Sequence, residues 1–394
     1  MTKNGDGTLA WLRHRNRQRV VEILRMQGQI SQADIARATG LSRTTVSTLI
    51  AELKGSGLVS DVDAKSMPAG GGRPAVQLVL KHPTQFVGGI DFGHSHIQTA
   101  VADQAHNVLG ERRCELDVNH HAVDALDTAA RMFGEVLNQL GVDRKQVTGV
   151  GIGIPGPVDR ALGTAGSSTI LPGWVGLRIT SEMTQRLGVP VTMDNDANLG
   201  ALAELTWGAG RDCSNFAYIK AATGIGAGIV IDGRLLRGAS GTTGEIGHTT
   251  LDESGALCYC GNRGCLETVA SGPAIVRLVG AVDGESLTLS RVVELASGGD
   301  PRCRRAISDA GREIGVAVAG LCNLINPERV IVGGLLCRTG EILLQPMRES
   351  IHRHAVHAVA QSVEVCQSVF LERAELLGSL ALALQSSSAP VAAS

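Results

Sequence analysis

Apolar residues recur at helical spacing three times within the first 55 positions. Val20, Ile23 and Leu24 share one face of a helix from Arg17 to Met26, which Asn16 can cap. Ser31 and Asp34 stand three apart in the pattern of a capping box, with Asp where Glu is more usual, and Ile35 begins a short second helix ending near Gly40. Ser42 caps a third, along which Val46, Leu49, Ile50 and Leu53 form one stripe, leaving Arg43, Thr44, Thr45, Ser47 and Thr48 on or near the exposed side. The period then shortens. Leu58–Ser60 and Ala75–Leu80 read as strands around a Gly-rich loop, Gly70-Gly71-Gly72-Arg73-Pro74, whose backbone can lie flat against another surface. Two helices joined by a glycine turn, followed by such a wing, form the plan of a winged helix-turn-helix. A merely packing helical hairpin is the competing reading. The candidate DNA contacts are Ser42, Arg43, Thr44, Thr45, Ser47 and Thr48 in the major groove, with Arg73 reaching the narrow minor groove.

From residue 86 onward, short apolar runs ending in glycine-bearing turns alternate with helical patterns, as in an α/β fold. Phe86–Asp91 and Ile97–Ala102 predict two strands around Asp91-Phe92-Gly93-His94-Ser95. A helix over His120–Leu140 precedes a strand over Val147–Ile154, which ends in the rigid turn Pro155-Gly156-Pro157. Val189–Met193 is a further strand, and Asp194-Asn195-Asp196-Ala197-Asn198 stands at its end before a helix to Trp207, where Asp194 and Asp196 can also serve as plain helix caps. Tyr218–Lys220 leads into Ala221-Ala222-Thr223-Gly224-Ile225-Gly226, and Val330–Val332 leads into Gly333-Gly334. The last helix covers Ala374–Leu384. Trp174 can wall a pocket, although core is the commoner place for a lone Trp.

Composition narrows the class. The 394 residues are 43% hydrophobic and 3% aromatic, with 50 glycines, which suits a turn-rich α/β protein and contains no run long enough to span a membrane. No apolar signal segment opens the chain, so a cytoplasmic protein is expected, with its nine cysteines mostly reduced. A net charge of −2 hides an uneven split: residues 1–85 carry +6 and the remainder −8. A basic head on an acidic body points to a polyanionic partner for the head alone.

The densest chemistry lies in Gly244–Glu267, where His248, Cys258, Cys260 and Cys265 offer one imidazole and three thiols. This is the donor set a structural Zn²⁺ prefers, and Gly261 and Gly264 allow the tight turns that bring the sulfurs together. Three unrelated buried cysteines beside a histidine are the bland alternative.

The run Gly244-Glu245-Ile246-Gly247-His248, followed by Cys258-Tyr259-Cys260-Gly261-Asn262-Arg263-Gly264-Cys265-Leu266-Glu267, resembles the signature of the ROK family of repressors, open reading frames and sugar kinases. The resemblance covers nearly the whole chain. It implies a two-lobed, actin-like (ribonuclease H-like) sugar kinase fold behind the winged head, divided as residues 1–82 for the head, 83–195 for the first lobe with helix 372–386 packing back on it, 196–371 for the second lobe, and a disordered tail at 387–394. It implies that Asn195, Asp196, Glu245, His248 and Glu267 meet a sugar, that Asp196 is the general base of the related kinases, and that Asp91, Gly93, Ser95, Thr223, Gly224, Gly333 and Gly334 face a nucleotide. Two departures stand out. His94 and Ala222 occupy positions where the kinases carry glycine, so the phosphate-facing loops are crowded while the sugar-facing set is complete. The expectation is therefore a sugar-responsive repressor that binds operator DNA and a sugar effector without efficient phosphorylation, as a homodimer with tetramer left open. An ATP-dependent sugar kinase with an appended head is the alternative.

Overall fold

The computed structural model describes residues 13, 16–17, 19–24, 26–55, 57–62, 76–80, 85–166, 170–281 and 287–388. They fall into two units, Met1–Phe86 with Ala102–Leu109, and Val87–Val101 with Gly110–Ser394. The head was expected to end at residue 82. The first unit instead runs to Phe86 and takes in the hairpin segment Ala102–Leu109, whose Ala105 joins its core.

In the first unit, helical residues between 16 and 27 are followed by helices Gln32–Thr39 and Arg43–Gly55. Ser31 caps the former, its hydroxyl accepting from the Asp34 N–H at 3.2 Å and donating to the Asp34 carboxylate at 2.6 Å. That second bond replaces the return bond to the backbone that a capping box makes; Asp is one methylene too short to reach it. Gly40 closes the helix at φ 69°, which a side chain would resist. Ser42 caps the latter helix through the Thr45 N–H at 3.1 Å. Val20, Leu24, Ile35, Val46, Leu49, Ile50 and Leu53 are buried together, so each predicted stripe faces one core. Strand Gln77–Leu80 pairs antiparallel with both Ile30–Ser31 and Val59–Asp61, giving the small sheet of a winged helix. The wing loop with Arg73 lies outside the described residues.

The second unit is organised by two five-stranded sheets with one plan. In chain order, three strands form a meander and two more add parallel on the side of the first. One sheet runs Val191–Asn195, Val147–Ile154, Phe86–Phe92, His96–Asp103, Val108–Glu115; the other runs Glu364–Gln367, Arg329–Gly333, Phe216–Ala221, Ile225–Ile231, Arg234–Leu236. Strand Val191–Asn195 begins two residues later than its apolar run predicted and reaches Asn195, which makes Asn195 the cap of helix Asp196–Trp207. Helix Pro301–Ile325 covers the second sheet and is capped by Asp300, which accepts from the N–H groups of Arg302 and Cys303.

The C-terminal helix runs Ala374–Ser388, beyond the predicted end at Leu384 and into the segment expected to be a disordered tail; residues 389–394 lie outside the described residues. It lies on strand Val147–Ile154 and helix Asp196–Trp207. Two glycines permit this approach: a Cβ at Gly151 or Gly378 would stand 1.9 Å from the carbonyl oxygen of Ser379 or Leu199. Among the described residues, no helix is long and apolar enough to cross a membrane.

Candidate functional site

Within the second unit, the ends of the strands and the loops after them line a cleft of about 850 Å³. Asp91, Gly93, Ser95, Asn195, Asp196, Thr223, Gly224, Glu245, His248, Glu267 and Gly334 all reach it, although they are spread over some 240 positions of sequence. Gly333 does not line it. A Cβ there would sit 2.2 Å from the Tyr218 hydroxyl oxygen, so Gly333 makes room for a buried tyrosine. Trp174 is core rather than pocket wall: it is 1% exposed, donates to the Val118 carbonyl at 2.7 Å and meets Phe92 edge-on.

Among the residues expected to meet a sugar, Asn195 accepts from the N–H groups of Ala197 (2.8 Å) and Asn198 (3.3 Å), and its amide nitrogen donates to Gly156 O at 2.8 Å. Its side chain therefore locks the Pro155–Pro157 turn to the helix start, and neither neighbouring aspartate is the cap. Asp194 is instead 2% exposed and accepts from Arg237 at 2.8 Å and Asn198 at 2.9 Å. Asp196 accepts from the Ala197 N–H at 2.7 Å with one oxygen and from the Lys220 ammonium at 2.6 Å with the other.

Lys220 was not among the candidates. Its ammonium also lies 3.7 Å from Glu375 Oε1. Burial alone would lower its pKa, but the carboxylates of Asp196, Glu375 and Asp91 outweigh that and raise it above the ordinary lysine value. Glu375, in the C-terminal helix, is pushed up to about 7 by burial and by Asp91 and Asp196, against the pull of Lys220. Both residues had a visible signal: each is a lone charge in an apolar run, FAYIKA and AELLGSLALAL. Glu245 is likewise pushed up to about 7, by burial first and then by Asp196 and Glu267.

The loop of residues 91–95, expected to face a nucleotide, is arranged differently from the expectation. The His94 ring turns to Asn119, with Nδ1 2.8 Å from the amide oxygen. His96 is the imidazole that stands over the loop: it lies 3.3 Å from Asp91 Oδ2, and a Cβ at Gly93 would be 2.2 Å from its ring. The crowding attributed to His94 therefore belongs mainly to His96. Farther out, the arginines along the cleft are matched by glutamates, Arg373 with Glu111 at 2.6 Å, Arg113 with Glu115 at 3.0 Å and Arg338 with Glu372 at 3.8 Å.

At the other wall, His248, Cys258, Cys260 and Cys265 present ligand atoms that all lie within 4.8 Å of one another. Cys258 Sγ is 3.6 Å from His248 Nδ1, and Cys260 Sγ is 3.7 Å from Cys265 Sγ. A tetrahedral ion with metal–sulfur bonds of about 2.3 Å has sulfur–sulfur edges of about 3.8 Å, so the cluster has the size of a closed four-ligand metal site. The Cys260 and Cys265 sulfurs are also too far apart for a disulfide. Backbone pairing of Thr250 with Cys265 and of Leu257 with Arg263 holds the loop, and position 264 requires glycine, since φ is 60° and a Cβ would strike the Asp252 carbonyl oxygen at 1.6 Å. With Nδ1 on the cluster side, His248 turns Nε2 toward the cleft.

In the first unit, Ser42, Arg43, Thr44, Ser47 and Thr48 are exposed on one side of helix Arg43–Gly55, and Thr45 is half-buried against the cap. They form the face expected to meet DNA.

Residues 87–386 match the ROK family, and residues 19–66 match the MarR family. The chain belongs to the ROK family. This ROK chain is 32% identical over 368 residues to the xylose repressor of Caldicellulosiruptor bescii, an alignment covering 90% of this chain and 92% of that protein. Among solved structures, a ROK family transcriptional regulator homologous to the E. coli MLC protein superimposes with TM-score 0.75 at 28% identity, covering 96% of this chain and 97% of that one. A ROK family glucokinase from Streptomyces griseus, in complex with glucose and AMPPNP, superimposes with TM-score 0.68 at 30% identity, covering 76% of this ROK chain and 99% of its own. The MarR-matching residues 19–66 precede the ROK region, as the near-full-length match to the ROK regulator requires, so the architecture is that of a ROK regulator.

Proposed function

We propose that this protein is a sugar-responsive DNA-binding transcriptional repressor whose cleft binds a sugar effector without efficient phosphorylation. The observation that carries this reading is the state of Asp196. Both of its oxygens already accept a hydrogen bond, one from the Lys220 ammonium at 2.6 Å and the other from a backbone N–H at 2.7 Å; the lone pair left on each can accept from a sugar hydroxyl, whereas carrying that hydroxyl's proton away would give up the ion pair with Lys220. Phosphoryl transfer depends on positioning around the phosphates, and the His96 ring over Gly93 takes room that a phosphate would need. Hydrogen bonding to a polyhydroxyl ligand makes no such demand. Asp196, Glu245, His248 and Glu267 line the cleft as its contacts, with Asn195 positioning the turn beneath them.

The relatives support the same reading: a xylose repressor, and a regulator homologous to MLC, each match this chain along most of its length. The helix Arg43–Gly55 enters the major groove of operator DNA through Ser42, Arg43, Thr44, Thr45, Ser47 and Thr48, and Arg73 of the wing reaches the minor groove. Two heads on a symmetric dimer read a palindromic site in the cytoplasm, and the sugar shifts the population toward a form with weaker operator affinity. The cluster of His248, Cys258, Cys260 and Cys265 holds structural Zn²⁺, which when bound fixes the His248 ring so that Nε2 stays directed at the sugar.

The test combines three measurements on the full chain. Calorimetric titration with D-xylose and D-glucose reads binding; fluorescence anisotropy with genomic fragments captured by the protein reads operator release; a coupled assay with ATP and Mg²⁺ reads phosphorylation. Binding and release without turnover are expected. Turnover at ordinary kinase rates, of order 1–100 s⁻¹, favours the kinase reading instead.

A further inference from the structure

Tyr259 lies between two of the candidate metal thiols and is 48% exposed, an unusual position for one of only two tyrosines in the chain. Its ring stands edge-on to His248, with centroids 5.0 Å apart. Its hydroxyl donates to Glu267 Oε2 at 2.6 Å and lies 3.1 Å from His248 Nε2. The other Glu267 oxygen is committed to the Ile225 N–H at 2.7 Å. Thus the one Glu267 oxygen and the one His248 nitrogen directed at the cleft are both engaged by a single phenol. A hydroxyl that bridges a carboxylate and an imidazole is also the arrangement a sugar hydroxyl would make with the same pair.

We propose that Tyr259 is an intrinsic competitor of the effector: its hydroxyl occupies the sugar-hydroxyl position between His248 and Glu267 and must leave for the effector to bind. The proposal rests on the sugar reading of the cleft. Departure is sterically feasible because the ring is half exposed and its aromatic contact is a single edge-on one, at the rim of the cleft. Two consequences follow for recognition. A ligand gains only the difference between its own bonds and those of Tyr259, so ligands unable to bridge the pair are rejected. The affinity is also set lower than the polar groups alone would make it, which places the response at higher effector concentration.

Tyr259→Phe removes the competing hydroxyl and keeps the ring. The variant and the wild type are titrated calorimetrically with D-xylose and D-glucose, and metal content is measured on both. The variant is expected to bind about tenfold more tightly, the worth of one hydrogen bond to a charged group, and by a similar factor for each sugar that the wild type binds. Metal content is expected to stay equal. Tyr259→Leu, which also removes the ring, is expected to show the same direction. Equal or weaker binding by Tyr259→Phe overturns the proposal, because a spectator leaves affinity alone and a direct sugar contact loses it. If neither sugar binds the wild type or the variants, the sugar reading itself fails and the proposal falls with it.

Discussion

Replacing Lys220 with Met removes one ammonium from beneath the cleft while keeping chain length and apolar bulk. In the native protein that ammonium lies 2.6 Å from Asp196 and 3.7 Å from Glu375. Its loss leaves two carboxylates, 8% and 4% exposed, without their counter-ion. Breaking a buried pair from one side costs about 3–5 kcal/mol when the remaining charge is uncompensated. Glu375 provides partial relief, because its carboxyl is already pushed up to about 7 and takes a proton readily. For an acid raised in the folded state, the native form holds more protons between the unfolded and folded pKa values, so stability falls as pH rises through that window. In the native protein the window ends near pH 7. Without Lys220 the Glu375 carboxyl rises further and the window extends upward, so the variant loses more stability at pH 8 than at pH 6. Urea denaturation of both proteins at the two pH values, followed by Trp fluorescence, measures the difference. A loss below about 1 kcal/mol at pH 8 would place the pair among ordinary surface ion pairs. An equal loss at the two pH values would refute the role given to Glu375.

Three further outcomes are expected. Cys258→Ser with Cys260→Ser removes two of the four ligands and should abolish stoichiometric metal, read by elemental analysis, and lower the melting temperature of the body; full metal retention would contradict the cluster assignment. Gly378→Ala places a Cβ 1.9 Å from the Leu199 carbonyl oxygen and should destabilise the protein by about 1–3 kcal/mol in denaturant titration, whereas a Gly320→Ala control in helix Pro301–Ile325, which meets nothing within 4 Å, should show no loss and a gain of up to about 1 kcal/mol. Arg43→Ala should weaken operator binding by about 1–3 kcal/mol and reduce discrimination at one base position; a loss uniform across sequences would make Arg43 a phosphate contact instead.

Features carried by neighbouring residues were legible along the chain alone. The caps at Ser31 and Ser42, the buried stripe from Val46 to Leu53, and the clustering of His248 with Cys258, Cys260 and Cys265 all depend on spacings of at most 17 residues, over which local geometry decides what can meet. The alternation of apolar runs and turns likewise announced six of the ten strands of the two sheets to within a residue or two, but not Val108–Glu115, Ile225–Ile231, Arg234–Leu236 or Glu364–Gln367. What needed the tertiary structure was the electrostatics of the cleft. Lys220 meets Asp196 from 24 residues away, and the partner it shares with Tyr218, Glu375, comes from the last helix, so no local pattern relates them. Side-chain direction was equally out of reach: His94 and His96 are two residues apart in one loop, and only the packing of Asn119 and Asp91 decides which imidazole stands over Gly93. Tyr259 could be read as the spacer between two thiols, but its hydroxyl acquires meaning only where His248 and Glu267 converge on it. Sequence spacing determines which groups are held near one another along the backbone; the energy of burying a charge or a hydroxyl depends on what the rest of the fold places opposite it.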